Sequence, residues 1–189
     1  VESGWKAVVF AASRAEDSLP VGAPVDQLEV ESRRALERIG ISDLRVPGYK
    51  VRELQKSRQR ILDDLISIRS ELRPNLVLTH CSTDSHQDHE VIHRESVRAF
   101  RHQKLWGYHL PWNERSSNSQ GFVEVGEKNL EAKLSMLREY ESQMKLGRPY
   151  VSQKYVYAAA GHAGLACQAE YAESFEIISM KWGLDDDIA

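Results

Sequence analysis

The chain has 189 residues, 41% hydrophobic and 28% charged, which suits one globular domain with enough apolar mass for a core. A net charge of −3 and a pI near 6.2 supply no basic field, so nucleic acid and acidic membrane surfaces are poor partners and a small molecule is the better one. Cys81 and Cys167 are too few for a disulfide framework, no CxxC pair builds a zinc knot, and neither a membrane-length apolar run nor signal-peptide order is present, so a cytoplasmic setting is expected.

In chain order, Lys6–Ala11 (KAVVFA) reads as a strand and Gln27–Ile39 as an amphipathic helix stopped by Gly40. A short strand is expected at Asp43–Val46. Leu54–Leu72 follows as one long helix with Leu54, Ile61, Leu62, Leu65, Ile68 and Leu72 on a single stripe, ended by Pro74. Asn75–His80 (NLVLTH) is the most strand-like run, and Ser85 with Asp88 three residues on predicts a capped helix from there through Ala99. Strands at Leu105–Leu110 and Gly121–Val125 flank a polar loop. Helices are expected at Glu127–Met144 and Ser152–Ala160, with a last strand at Glu173–Met180 and a frayed acidic tail, LDDDIA. Alternating strand and helix signals predict an α/β fold with a mostly parallel sheet covered on both faces.

Thr83 to His93 reads TDSHQDHEVIH, so three of the seven histidines and two aspartates fall within eleven residues. The cluster starts at the carboxyl end of a predicted strand, where open α/β sheets bind ligands. Neutral imidazoles there suit zinc, and a nearby carboxylate commonly orients an imidazole through its other N–H. The spacing equally allows surface histidines at a helix N-terminus, and HxxHxxxH leaves open a local site of His86, His89 and His93. His80 reads as a packed strand end, and Cys167 as a small buried apolar residue.

DSHQDH followed by an amphipathic helix, YHLPWN at Tyr108–Asn113, KLSMLREYESQ at Lys133–Gln143 and AEYAESFEI at Ala169–Ile177 together resemble the LmbE/PIG-L family of zinc-dependent N-deacetylases, in order and over most of the chain. The resemblance implies a Rossmann-like three-layer sandwich formed as a single domain over residues 1–189. It also implies hydrolysis of the acetamide of an N-acetylated amino sugar, a GlcNAc-type conjugate. In the family's HxDH motif the second histidine binds zinc, which falls on His89. The first, His86, aids the oxyanion or the departing amine, and Asp88 holds it in orientation. Zn2+ as cofactor would supply an activated water, with a pKa of about 7, and polarise the carbonyl. Asn113, Asp84 and His162 are the candidate substrate contacts, with plain turn chemistry as the alternative for Asn113 and a loop start as the alternative for Asp84, and a homo-oligomer, trimer or hexamer, is the expected assembly.

Two departures from the family carry consequences. No HPDDE occurs in these residues, so the motif's other two zinc ligands are not among them, nor is the family's first strand. With one ligand of three, the 189 residues alone are expected to turn over poorly. Relatives often carry Arg-Gly where this chain has Ala163-Gly164, with His162 as partial substitute. The alternative to a deacetylase is a non-catalytic sugar-binding or assembly module.

Overall fold

A computed structural model describes residues 4–181; the acidic tail lies outside them. The chain divides into two compact units, one of residues 4–51 and 123–173, the other of residues 52–122 and 174–181.

In the first unit, β1 (Val8–Phe10) pairs in parallel with β2 (Asp43–Arg45), Val9 opposite Leu44, and α1 (Gln27–Glu37) lies between them in the chain. Gly40 adopts a positive φ of 76° just past α1, the stop its glycine predicts. The expected helix over Glu127–Met144 is broken into α4 (Glu127–Leu137) and α5 (Glu141–Lys145). The break has a physical cause. Glu31 of α1 is buried to 1% exposure and needs donors; the new helix start provides Ser142 N at 2.9 Å and Ser142 Oγ at 2.7 Å, with Gln27 Nε2 at 2.9 Å. In the opposite direction, α6 (Gln153–Cys167) runs beyond the predicted end at Ala160. Gly161 and Gly164 do not stop it, and a Cβ at Gly164 would come within 2.6 Å of the Ala169 carbonyl oxygen, so glycine there serves close packing. Leu130 and Leu134 of α4 meet Val156 and Ala160 of α6 in this unit's core.

In the second unit the predicted long helix is a 3-10 turn, Leu54–Ser57, followed by α2 (Arg58–Leu72), which ends at Arg73 in a left-handed conformation ahead of Pro74. Ile61, Leu62 and Leu65 are buried, as the stripe requires. β3 (Leu76–His80) pairs in parallel with β4 (Lys104–Tyr108), Leu76 opposite Lys104 through His80 opposite Tyr108. α3 (Gln87–Ala99) connects them and is held to β3 by a buried Thr79–Ser96 hydroxyl contact at 3.2 Å. β6 (Ala172–Ser179) runs antiparallel to β4 with a register shift at Leu105/Trp106, and β5 (Gly121–Glu124) completes the order β3-β4-β6-β5. The parallel pairs therefore fall in two sheets, and the larger one contains the antiparallel strand β6. Glu95 of α3 is fully buried, with Arg58 of α2 at 2.6 Å and Arg98 at 2.6 Å as its counterions.

Candidate metal centre

The carboxyl end of β3 and the first turn of α3 gather an imidazole stack. The His80 and His89 rings lie 3.8 Å apart and nearly parallel, at 8°, and His86 stacks on the other side of His89 at 4.3 Å. Burial, then the neighbouring His89, push the His80 pKa down to about 3; the same two causes lower His86. His80 is thus held in the neutral form a metal requires.

Asp84 organises the stack. Its Oδ2 lies 2.7 Å from His89 Nδ1, and its Oδ1 accepts the His86 amide at 2.9 Å. Burial alone would raise the Asp84 pKa, but the His86 amide and the His89 ring outweigh it and hold the carboxyl below its usual range. His80 Nε2 meets the Tyr108 hydroxyl at 3.2 Å, whose own pKa burial drives upward. His80 Nδ1 is buried without any hydrogen-bond partner and sits 3.8 Å from Asp84 Oδ2. An orphaned ring nitrogen beside a carboxylate is costly on its own and well placed for a cation. His80, Asp84 and His89 offer ligand atoms that all lie within 4.8 Å of one another, a two-histidine, one-carboxylate set of the kind that holds catalytic zinc.

The remaining candidates divide. His86 sits at the N-cap of α3, its Nδ1 accepting the Asp88 amide at 3.2 Å, so the helix begins at Gln87 and not at Ser85, whose hydroxyl instead donates to the Asn113 carbonyl at 2.6 Å. A proton on this ring accordingly resides on Nε2. The Asp88 carboxylate takes a different partner from the His86 ring: Oδ2 accepts the Arg52 amide at 2.6 Å. Asn113 comes to the stack, Nδ2 3.4 Å from His89 Nδ1. His93 points its Nδ1 at the His80 carbonyl, 2.8 Å, and belongs to neither of the metal-capable groups among the described residues. His162 lies in the first unit, exposed midway along α6, beside a buried Ala163.

Sequence reasoning passed over His80 as a ligand because a strand-end histidine is most often packing. Glu176 of β6 was also missed: it accepts the Ser82 amide and hydroxyl, both at 2.6 Å, and the Asn118 amide at 3.3 Å. Burial would raise its pKa, but the Ser82 donors prevail and keep it low. Its signal lay in Gly107, where a Cβ would meet Cys81 Cα at 2.7 Å and Glu176 at 3.1 Å.

A mixed α/β chain with imidazoles and a carboxylate gathered at the end of a parallel strand has the layout of the LmbE-like hydrolase class. Residues 2–100 match the family profile of PIG-L, GlcNAc-PI de-N-acetylase, and the chain belongs to that family. No curated protein sequence matches it. Among solved structures it resembles the antimicrobial reagent A40926 pseudoaglycone deacetylase, with a TM-score of 0.72 and 19% identity over 95% of this chain and 89% of that one. It also resembles the N,N'-diacetylchitobiose deacetylase from Pyrococcus horikoshii, with a TM-score of 0.76 and 14% identity over 94% and 74% of the respective chains. A third likeness is to a 4-carboxy-2-hydroxymuconate hydratase from Pseudomonas putida, with a TM-score of 0.73 and 16% identity over 100% and 89%. At these identities the likeness establishes the fold, and the hydratase shows that the fold alone does not choose the reaction.

Proposed function

We propose that the protein is a zinc-dependent N-deacetylase that removes the acetyl group from an amino-sugar conjugate of the GlcNAc type. Family membership gives the reaction class; the observation that carries the metal is the buried, unpartnered His80 Nδ1 facing Asp84 and His89. His89 would be the primary ligand, with His80 and Asp84 completing the set. Zinc held there would supply a nucleophilic water at neutral pH and Lewis acidity toward the acetamide carbonyl.

The chain's own groups do the rest. With Nδ1 committed to the helix amide, His86 presents Nε2–H as a donor to the oxygen that gains charge when the carbonyl is attacked. Asp88 fixes the start of α3, and with it His86, by holding the Arg52 amide. Asp84, with both oxygens engaged inside the cluster, positions the imidazoles and is assigned to the metal in place of the substrate. Asn113 can hold a sugar hydroxyl or the acetamide beside His89. The substrate is a small molecule, and no helix among the described residues is long and apolar enough to cross a membrane. The assembly proposed is a homo-oligomer, trimer or hexamer, read by light scattering.

The test combines metal analysis with acetate release from N-acetylglucosaminyl conjugates. The sequence leaves His89 as one ligand of three; with His80 and Asp84 as the other two, the expectation of poor turnover is replaced by stoichiometric zinc in the parent chain, absent in His89→Ala and strongly reduced in His80→Ala and Asp84→Asn, with zinc-dependent acetate release. Zinc retained in both His80→Ala and Asp84→Asn but lost in His89→Ala would assign the other ligands elsewhere. A zinc-loaded protein that binds but never deacetylates such conjugates would replace the enzyme reading with a sugar-binding module.

A further inference from the structure

We propose a second metal site, formed by Cys81 Sγ, His109 Nδ1 and the Glu114 carboxylate, that takes a zinc-class divalent cation and clamps the loop bearing Asn113 to the end of β3. The three donor atoms lie within 4.8 Å of one another, and the set shares no residue with His80, Asp84 and His89. Its softness differs as well: a thiol beside an imidazole and one carboxylate selects zinc or cobalt over magnesium or calcium.

Each donor is aimed by a neighbour. His109 Nε2 meets the Ser119 hydroxyl at 3.1 Å, which turns Nδ1 toward Glu114 Oε2 at 2.8 Å. Glu114 Oε1 accepts the Leu110 amide at 2.6 Å, and Thr83 Oγ1 donates to Oε2 at 3.0 Å. Thr83 Oγ1 also lies 3.4 Å from Cys81 Sγ, so a hydroxyl stands near two of the three donors. Such outer partners on every ligand are the arrangement that orients metal donors. Cys81 is 2% exposed and the side chains of His109 and Glu114 at most 10%, so water does not compete freely for the ion.

The charge balances. Binding replaces the Cys81 thiol proton, released to solvent, by a bond from the thiolate to the dication; thiolate and carboxylate then offset its two charges while imidazole remains neutral. The site would join three places in the chain: Cys81 next to His80, His109 after β4, and Glu114, which already forms a bridge with Asp84 and adjoins Asn113. Its product is a fixed position for Asn113 relative to His89.

Cobalt titration of the metal-stripped full chain tests this independently of deacetylase activity. A thiolate-to-cobalt charge-transfer band in the near ultraviolet is expected, abolished in Cys81→Ser and in Cys81→Ala. It should persist in Cys167→Ser and in Asp84→Asn, where only the first site is damaged. Glu114→Gln should weaken the cobalt affinity behind the band by more than about tenfold. Cobalt bound at His80, Asp84 and His89 alone gives ligand-field bands without thiolate charge transfer, so loss of either site reads separately. No charge-transfer band at any cobalt excess, or a band that survives Cys81→Ser and disappears in Cys167→Ser, would overturn the proposal.

Discussion

Burial holds His80 at about 3, below the 6.5 of a free imidazole, and the sign of the resulting pH dependence is fixed. Between those values the unfolded chain binds a proton that the folded chain refuses, so folding stability falls as pH drops through that window and is fully present above it. The slope approaches about 1.4 kcal/mol per pH unit. The metal-free protein should therefore lose roughly 2 kcal/mol between pH 7 and pH 5 through this residue alone. Urea unfolding at the two pH values checks it, with His80→Leu showing a correspondingly smaller loss. Asp84 and Glu176 act in a different window. Their lowered carboxyls contribute stability that is lost only as pH falls below the ordinary carboxylate range, so they do not mask the histidine effect.

At the scale of elements, α3 begins on a side chain with two jobs, and substitution can separate them. His86→Ala removes both the cap and the imidazole, and should cost about 1 kcal/mol of stability along with turnover. His86→Ser restores a cap, so its thermal stability should match the parent while turnover stays depressed; equal stability losses in both would show that the imidazole does not cap the helix. The α2–α3 pairing rests on Glu95 between Arg58 and Arg98. Removing the buried charge in Glu95→Gln leaves two arginines facing a neutral amide, and because both reach solvent the expected loss is about 1–3 kcal/mol in chemical denaturation, below the usual cost of breaking a fully buried pair. Gly107→Ala places a methyl against the Cys81 backbone and should destabilise by about 1–3 kcal/mol, read the same way.

For the whole molecule, a metal that binds only the folded chain raises its melting temperature by mass action. Zinc at a hundredfold excess over its dissociation constant adds about 2.7 kcal/mol. For a chain of this length that corresponds to a rise of roughly 5–10 °C. Scanning calorimetry with zinc and then a chelator should show the rise and its reversal, and the rise should shrink in His89→Ala.

Local pattern was enough for the order of strands and helices, because period and caps act over a few residues: the stripe of α2, the stop at Gly40 and the strand at Leu76–His80 were all legible. The HxDH spacing and the blocks that follow it were enough for the family. Tertiary structure decided what depends on partners far apart in the chain. Nothing near Met136 signals that the helix must break; the reason is a carboxylate at Glu31, more than a hundred residues earlier, that takes its donors from Ser142. Nothing in HQDH says that Asp88 will serve Arg52, or that Asp84 will be the residue that orients His89. His80 looks like packing until burial strips its Nδ1 of every partner, and Cys81, His109 and Glu114 become neighbours only because β3 and β4 pair in register. Sequence pattern records the conformational preference of a segment, whereas a ligand set is a property of which segments close on one another.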